Sequence, residues 1–575
     1  MAVFRKILLN RKLINVKNKS LFSRCIATDL HENILRSETE DISIPNITVP
    51  ELLYDKISCY NKYTATESAS TGRKYTYEQI RIKSRNFSKS LRTKFQLKDG
   101  DVVALFLPNV PEFIICLLGS MEARMVITTM NPMYTADEIA RQIEDASPKL
   151  IITQSNLVPT VKSALDISKR KFPIVIVKET QAESLPEQTV NFSELIDATI
   201  DIPDIQPGDA NEVTFIPYSS GTTGLPKGVL LTHRNLVSNI LQLSHPDLSN
   251  YTSPSGDFQD AIPAVLPMYH IYGLMTNFVF LHQGSRSIAM EKFTPESYIN
   301  VLKNNPISMI FAAPPLVLFL ASYPAVKPEY FNHLKVLFSG AAPLGILDEE
   351  RFIQKIKREV QIIQGYGLTE SSPAVSFTPK NCKRTEKIAG SIGRPVPNTL
   401  VKIINPDDPE GKPLGPNQQG ELILKGPQVM KGYYNRPEET KNVFLNGWLR
   451  TGDLGYYNDE KLLFITDRLK ELIKVRGFQV APAELEEIIR DHPAVADVAV
   501  IGIPHPTNGE VPRAFVVPKN ENSTNLDEIQ QYVANKVAKY KRLEGGIEIV
   551  KNIPRNPSGK ILRRQLKIEY VEKQK

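Results

Sequence analysis

The residue types best suited to chemistry are concentrated in one stretch, residues 219–228, whose sequence is SSGTTGLPKG. The β-branched and aromatic run at residues 213–218 predicts a strand before it, and Thr232 is placed to cap a helix after it. A loop between a strand and a helix presents backbone N–H groups to a phosphate. Lys227 and the hydroxyl groups of the stretch add further donors. A standard P-loop needs glycine where this chain has Pro226, so the stretch predicts a phosphate-binding loop of another type.

Two later segments place small residues directly after predicted apolar strands. The first is residues 338–344 (FSGAAPL) and the second is residues 364–370 (QGYGLTE), and each is predicted to form a turn. Small residues at strand ends leave space for a flat ring, against which Tyr366 can stack. Glu370 supplies the hard oxygen that suits Mg²⁺, and Thr369 can bond to a phosphate oxygen. Together the two segments predict one side of a nucleotide site.

Asp453, His270 and Lys560 are candidates elsewhere in the chain. Asp453 lies in a predicted Thr-Gly-Asp turn and can accept hydrogen bonds from both hydroxyl groups of a ribose. His270 lies in an apolar segment, and Lys560 follows an Asn-Pro-Ser-Gly turn. Taken singly, these residues also fit ordinary roles: turn chemistry for the aspartate, a core position for the histidine and an exposed position for the lysine. Their combination favours function.

The combination resembles the adenylate-forming superfamily, which includes acyl- and aryl-CoA ligases such as 4-coumarate–CoA ligase, beetle luciferases and the adenylation domains of peptide synthetases. The resemblance extends over about residues 46–568. It implies that ATP or AMP contacts Ser219, Ser220, Gly221, Thr222, Thr223, Gly224, Lys227, Gln364, Gly365, Tyr366, Thr369, Asp453, Arg468 and Lys470. It also implies an Mg²⁺ site at Glu370 and Thr222, an acid pocket at His270, Tyr272, Gly340 and Ala341, a CoA site at Arg476 and Gly477, and catalytic roles for Lys560, His270 and Lys474.

At 575 residues the chain is too long for a single hydrophobic core, and its alternating strand and helix patterns predict an α/β protein with layered, largely parallel sheets. A charge-rich run near Arg468 marks the predicted boundary between a large N-terminal domain, residues 46–467, and a compact α+β domain, residues 472–575. The resemblance implies that the large domain includes a small β-barrel-like part. It further implies that residues 468–471 are a hinge on which a small, mobile C-terminal domain rotates.

The function implied by the resemblance is that of an acid–CoA ligase, in which a carboxylate, ATP and CoA give an acyl-CoA, AMP and pyrophosphate through an acyl-adenylate. The expected acid is a fatty or arylpropanoid acid. Beetle luciferases have His-His-Gly-Phe-Gly where this chain has residues 269–273 (YHIYG), and Ile423 occupies the position of a cysteine in plant 4-coumarate–CoA ligases. A luciferase-like monooxygenase, a module that loads a separate acyl carrier and an inactive scaffold are the alternatives.

The net charge of +7 arises at the N-terminus, because residues 1–28 contain seven basic and no acidic residues, which leaves 63 of each in the rest of the chain. The folded body is therefore not expected to bind nucleic acid. In residues 1–28 the basic residues are interleaved with apolar ones, as in a mitochondrial transit peptide. This pattern predicts delivery to the matrix by the mitochondrial import machinery. A disordered basic tail on a cytoplasmic protein is the alternative. The apolar tract at residues 306–326 is interrupted by Pro314 and Pro315 and by Ser308 and Ser322, so no transmembrane segment is expected.

Overall fold

The computed structural model describes residues 33–180, 182–219, 226–342, 344–380, 388, 390–469, 471–475, 478–505, 508–520, 524–537, 539–556 and 559–574. The predicted leader lies outside these residues. Within them the strands form five sheets. Four sheets belong to a large N-terminal domain and the fifth to a smaller C-terminal domain, as predicted for this α/β chain.

The largest sheet, the second along the chain, has a parallel centre made of continuous apolar strands. Val102–Phe106 and Leu150–Thr153 are buried at every position and pair with each other in parallel, because helices cover both faces of this sheet. Within the described residues its main strand order is Gly432–Tyr433, Lys227–Thr232, Val213–Ile216, Val126–Thr129, Val102–Phe106, Leu150–Thr153, Ile174–Ile176 and Val190–Asn191, and Tyr218–Ser219 pairs with Lys227–Thr232.

Three further sheets complete the large domain. The strands of the first sheet are, in order, Ala261–Ala264, Arg286–Ala289, Thr64–Ser68 and Lys74–Thr76. Those of the third sheet are Met309–Ala312, Val336–Ser339, Gln361–Gly367, Ala374–Phe377 and Arg394–Pro395. Those of the fourth sheet are Leu400–Ile404, Gly420–Lys425, Trp448–Tyr457 and Phe444–Leu445, and Leu463–Arg468 also pairs with Trp448–Tyr457. The fourth sheet is antiparallel throughout its pairings and corresponds to the small β-barrel-like part that the resemblance implies.

The small domain has its own hydrophobic core on each face of the fifth sheet. One core includes Leu485, Val498 and Val533, and the other includes Ile501 and Leu566. The strands in order are Phe478–Val480, Ile473–Val475, Gly509–Pro518 and Val495–His505, with Ile547–Ile549 paired to Gly509–Pro518. Two separate cores allow this domain to keep its internal packing if it moves as a unit.

The helices of the described residues fill the spaces between the sheets. They are Val49–Cys59, Tyr77–Thr93, Glu112–Glu122, Ala136–Ala146, Val158–Ser168, Phe192–Ile196, His233–Leu243, Ile271–Gln283, Pro295–Asn304, Pro314–Ser322, Ile346–Ile356, Pro437–Val443, Pro482–Arg490, Leu526–Lys536 and Arg563–Gln574. Short 3₁₀ helices span Ser155–Leu157, Pro328–Phe331, Thr369–Ser371 and Lys539–Lys541. Among these residues, every helix is too short or too polar to cross a membrane.

Candidate active site

A cavity of about 1090 Å³ lies between the two domains and is lined by residues of both. Strand ends of the second, third and fourth sheets and the start of the helix Ile271–Gln283 form the large-domain wall, and the small domain adds a loop near its C-terminus. The predicted site residues that line the cavity are Ser219, Lys227, His270, Tyr272, Gly340, Ala341, Gly365, Tyr366, Thr369, Glu370, Asp453, Arg468 and Lys560. The fold thus brings together residues that are up to several hundred positions apart in the chain.

Gly365 lies in a strand, so the turn predicted for residues 364–367 is wrong. The strand Gln361–Gly367 runs through this segment and pairs in antiparallel fashion with Ala374–Phe377. A Cβ atom on Gly365 would lie 2.6 Å from the ring of Phe377, so only glycine allows the two strands to approach this closely. The Phe377 ring lines the cavity as a result.

Asp453 is the centre of a group of three side chains on the large-domain side. Its Oδ2 accepts a hydrogen bond of 2.6 Å from the Tyr366 hydroxyl, and its Oδ1 lies 3.0 Å from Nε of Arg468. Burial and the Asp453 charge raise the pKa of Tyr366 well above its usual value, so this phenol stays protonated and donates. Burial is the largest single influence and disfavours the charged form of Arg468, but the negative charges of Asp453, Glu471 and other nearby acidic groups together raise the pKa of the guanidinium. All three groups are therefore oriented before any ligand binds.

Asp453 also lies in a strand, Trp448–Tyr457, so the turn predicted around it is wrong. Gly452 has a φ of +70°, which distorts the strand at this point. The Gly452 N–H donates to Oε1 of Glu421 over 3.1 Å, and the Asp453 N–H donates to Oγ1 of Thr451 over 3.0 Å. These bonds hold the distorted segment in place, so the sheet itself positions the aspartate.

Lys227 lies at the rim of the predicted phosphate-binding loop. It begins the strand Lys227–Thr232 and is paired with Ser219 of the preceding strand, so the loop connects two neighbouring strands. The prediction that the loop leads directly into a helix is therefore wrong, because the helix begins only after this strand, at His233. Thr232 caps the following helix through a capping box with Asn235, which confirms the prediction for that residue. The predicted phosphate contacts between the two strands lie outside the described residues; they are Ser220, Gly221, Thr222, Thr223 and Gly224.

Tyr433 connects Lys227 to the predicted metal ligand. The Lys227 ammonium forms an ion pair with Glu439 and lies 5.3 Å from the centre of the Tyr433 ring. The Tyr433 hydroxyl donates a hydrogen bond of 3.0 Å to Oε1 of Glu370. The carboxylate of Glu370 is buried, and this hydrogen bond holds one of its two oxygens.

His270 and Tyr272 form the predicted acid pocket with Gly340 and Ala341. His270 caps the helix Ile271–Gln283, because its Nδ1 accepts a hydrogen bond of 3.3 Å from the backbone N–H of Tyr272. Burial lowers the pKa of His270 to about 4, so the imidazole is neutral near pH 7. The absence of a Cβ atom at Gly340 leaves the ring of Tyr272 in place, since that atom would lie 3.3 Å from the ring.

Lys560 enters the cavity from a tight loop of the small domain. Its backbone N–H donates to Oδ1 of Asn556 over 2.8 Å, and its carbonyl accepts from the Asn556 N–H over 2.9 Å. Gly559 has a φ of +85°, and a Cβ atom there would lie 3.1 Å from Cβ of Ala313, so the loop packs against the large domain. Burial, helped by the positive charge of Arg468, lowers the pKa of Lys560 to about 8.

Two described residues of the predicted site are absent from the cavity lining. Gln364 is buried, and its Nε2 donates to the Leu344 carbonyl over 3.0 Å and to Oε1 of Glu349 over 2.8 Å. Lys474 is exposed on the strand Ile473–Val475 of the small domain, which pairs with strands on both sides. Lys470, Arg476 and Gly477 lie outside the described residues.

Several cavity residues were missed by the sequence predictions. Arg450 and Glu421 line it as an ion pair between neighbouring strands, with Nε of Arg450 2.8 Å from Oε2 of Glu421. An acidic residue directly before the apolar run at residues 422–424 was the signal that could have revealed this pair. Tyr433 of the lining, and Glu439, which pairs with the lining residue Lys227, gave no such signal, because their importance depends on contacts with residues far away in the chain.

Most of the chain matches known families and proteins. A family model described as AMP-binding enzyme matches residues 55–434, and one described as AMP-binding enzyme C-terminal domain matches residues 484–560. This chain belongs to the AMP-binding enzyme family. Among relatives of this family, 4-coumarate–CoA ligase 3 of Oryza sativa subsp. japonica is 38% identical over 539 residues, which are 93% of this chain and 94% of that protein. 4-Coumarate–CoA ligase 1 of Arabidopsis thaliana is 37% identical over 548 residues, with 94% and 95% covered.

Solved structures of adenylate-forming enzymes share the fold of this AMP-binding enzyme. ATP-bound MatB from Rhodopseudomonas palustris aligns with a TM-score of 0.81 at 26% identity, over 92% of this chain and 100% of that one. The o-succinylbenzoate CoA synthetase of Bacillus subtilis, in complex with the acyl-adenylate OSB-AMP, aligns with a TM-score of 0.74 at 25% identity, over 90% and 98%. The predicted fold and superfamily are confirmed.

Proposed function

We propose that the acid substrate of this enzyme is an arylpropanoid or fatty acid. The reaction class is that of an ATP-dependent acid–CoA ligase, in which an acyl-adenylate forms and is then attacked by the CoA thiol. The observation that carries this conclusion is the meeting of Lys560 from the small domain with Tyr366, Asp453 and Arg468 of the large domain around one cavity. Similarity over nearly the whole chain to proteins named as 4-coumarate–CoA ligases supports the same class.

The large domain would hold the nucleotide. Asp453 would accept hydrogen bonds from the ribose hydroxyl groups, and the Tyr366 ring would stack on adenine. Lys227 would bind the β- and γ-phosphates beside the predicted loop. Because Tyr366 and Arg468 already fix the Asp453 carboxylate, binding would cost little reorganisation.

Lys560 would act on the first half-reaction. A carboxylate oxygen attacks the α-phosphorus of ATP, and negative charge accumulates between the two groups as pyrophosphate leaves. Reactions of this kind need positioning and charge neutralisation more than covalent participation of the protein. An ammonium at Lys560 would bridge the carboxylate and the α-phosphate, and its exclusion from water would strengthen both contacts.

Glu370 fits an Mg²⁺ site built partly from the substrate. Its buried carboxylate keeps Oε2 available while Oε1 accepts from Tyr433. Mg²⁺ is commonly held by one or two carboxylates together with substrate phosphates, so a single carboxylate beside the polyphosphate is sufficient for such a site. The bound cation would neutralise the polyphosphate, and Thr222 is proposed as its second protein contact.

The second half-reaction would require the small domain to rotate about residues 468–471. Asp467 accepts a 3.2 Å hydrogen bond from the Ala483 N–H, and Glu471 pairs with Arg563 at 2.5 Å, so each side of the proposed hinge is anchored to the small domain. Rotation would withdraw Lys560 and bring the edge around Lys474, with Arg476 and Gly477, toward CoA. The proposed domain limits, residues 46–467 and 472–575, follow from this division.

The walls of the acid pocket favour an aryl group. Tyr272 and Phe377 line the cavity, and behind them Phe338 and Phe311 stack with ring centres 4.5 Å apart and an angle of 7° between the planes. The Phe338 and Phe377 rings meet edge to face at 6.3 Å. Flat aromatic walls pack well against a planar ring, so the arylpropanoid member of the two proposed acid classes fits this pocket better.

A panel of carboxylic acids, assayed for AMP formation with and without CoA, tests the proposed function. Arylpropanoid acids should give CoA-dependent AMP release, with medium-chain fatty acids next. Failure of every acid to support ATP–pyrophosphate exchange would contradict the assignment. Oxygen-dependent light output from luciferin and ATP would indicate the less favoured monooxygenase, and AMP release only with a carrier protein would indicate a loading module.

We also propose that residues 1–28 direct the protein to the mitochondrial matrix, with a cytoplasmic location as the alternative. The support is compositional, because this segment lies outside the described residues. Sequencing the N-terminus of protein purified from fractionated cells tests the proposal. A new N-terminus near residues 25–28 in the mitochondrial fraction is expected, and an intact chain confined to the cytosol would contradict it.

A further inference from the structure

Lys227 already has an anionic partner in the protein. Its ammonium is paired with Glu439, and the Tyr433 ring covers it at 5.3 Å. The buried Oε2 of Glu439 faces this ammonium, and no other hydrogen-bond partner for that oxygen occurs among the described residues. A buried carboxylate oxygen without another donor depends on its cation, because losing it would leave the oxygen unsatisfied.

The side-chain hydroxyl of Thr440 ties the helix that carries Glu439 to the strand that carries Tyr433. Glu439 lies in the first turn of the helix Pro437–Val443. Oγ1 of Thr440 accepts a 2.9 Å hydrogen bond from the Tyr433 N–H and donates one of 2.8 Å to the Arg436 carbonyl. The helix start therefore cannot drift away from Lys227, and the pair is a built feature of the cavity rim.

We propose that Glu439 is a positioning residue that competes with the phosphates of ATP and pyrophosphate for Lys227. This inference depends on the proposed role of Lys227 in phosphate binding. A polyphosphate that binds Lys227 must displace the Glu439 carboxylate, which is 39% exposed and can turn toward water. When pyrophosphate leaves, the carboxylate takes its place, so the lysine is never left without an anion. Glu439 therefore weakens ATP and pyrophosphate binding together and eases product release.

The expected effect is modest, because both partners of the pair are partly exposed, at 27% for Lys227 and 39% for Glu439. Ion pairs of this kind are screened by water, so removing the competitor should tighten ATP and pyrophosphate binding about two- to fivefold. The change acts equally on the ground state and the transition state. KM for ATP should therefore fall with little change in kcat, and KM for the acid should not move.

Glu439→Gln tests this inference, with Glu438→Gln as the matched control. Glu438 is the neighbouring residue of the same helix and is exposed, so its substitution changes the net charge equally at a different place. Calorimetry of Mg²⁺-pyrophosphate and Mg²⁺-ATP binding measures the affinities without any turnover. We expect tighter binding in Glu439→Gln, wild-type binding in Glu438→Gln, and binding nearer to wild type in Glu439→Asp, which retains the charge.

Unchanged or weaker binding by a folded Glu439→Gln variant would overturn the inference, and so would an equal effect of Glu438→Gln. Thermal unfolding of each variant identifies a folding defect; if Glu439→Gln does not fold, Glu439→Ala, which also removes the charge, carries the comparison. The proposed function is tested separately by acid-dependent ATP–pyrophosphate exchange in the wild type. Tighter binding in Glu439→Gln with no exchange for any acid would support the inference while contradicting the function.

Discussion

Arg468 and Lys560 both line the cavity, but their surroundings shift their pKa values in opposite directions. Arg468, at the end of a strand of the large domain, lies 3.0 Å from Asp453, and the charges of Asp453, Glu471 and other nearby acidic groups together raise its pKa despite burial. Lys560, on a loop of the small domain, is half-buried, and its partial removal from water, helped by the positive charge of Arg468, lowers its pKa to about 8. The positive charge of Arg468 in the large domain is therefore already paired with a carboxylate. The ammonium of Lys560 in the small domain is disfavoured by its surroundings, so a substrate anion would stabilise it more.

The largest expected effect comes from removing the small-domain charge. Lys560→Ala should slow acid-dependent ATP–pyrophosphate exchange by about 10²- to 10³-fold, because an ammonium aimed at the developing negative charge is lost. Lys551→Ala, an exposed lysine of the same domain, is the control and should retain the wild-type rate. A loss of less than about fivefold in Lys560→Ala would mean that the ammonium of the small domain does not stabilise the negative charge that develops during adenylate formation.

A smaller effect is expected from the large-domain group. Asp453→Asn preserves the shape of the side chain but removes the charge that the ribose and Arg468 would share, so AMP should bind about ten- to a hundredfold more weakly. Isothermal titration calorimetry measures this affinity. Asp459→Asn, on an exposed part of the same hairpin, should bind AMP like the wild type. Normal AMP binding by the Asp453 variant would remove the aspartate from the nucleotide site.

The pH dependence sharpens the contrast between the two cations. The ammonium form of Lys560 is lost as pH rises through about 8, so kcat/KM for ATP in the exchange reaction should fall above that pH, approaching tenfold per unit. Arg468 keeps its charge over this range. Lys560→Arg should be slower but should show no decline between pH 8 and 10. A wild-type profile that stays flat to pH 10 would contradict the proposed state of Lys560.

Local features of the fold could be predicted from the sequence. The apolar run Leu150–Thr153 is a buried strand, and Thr232 caps its helix, because both properties depend on neighbouring residues. The segments around Gly365 and Asp453 were predicted as turns and are strands. Glycine and aspartate usually indicate turns, but here the close approach of a neighbouring strand in one case and bonds to Glu421 and Thr451 in the other override that preference.

The sequence named many of the residues that line the cavity, but it did not predict the contacts between them. Resemblance to a family placed Tyr366, Asp453 and Lys227 in one site. It gave no indication that the first two share a hydrogen bond or that Lys227 pairs with Glu439, since these contacts join segments 87 and 212 positions apart. Such pairings depend on how whole sheets pack, which local patterns do not encode.

The central claim is that Lys560 serves the formation of the acyl-adenylate and leaves the cavity for the second half-reaction. Thioester formation by Lys560→Ala, measured in a single turnover with supplied acyl-adenylate and CoA, tests it most directly. We expect a rate within about threefold of the wild type, because the lysine takes no part in that step. A loss as large as that of the exchange reaction would contradict it.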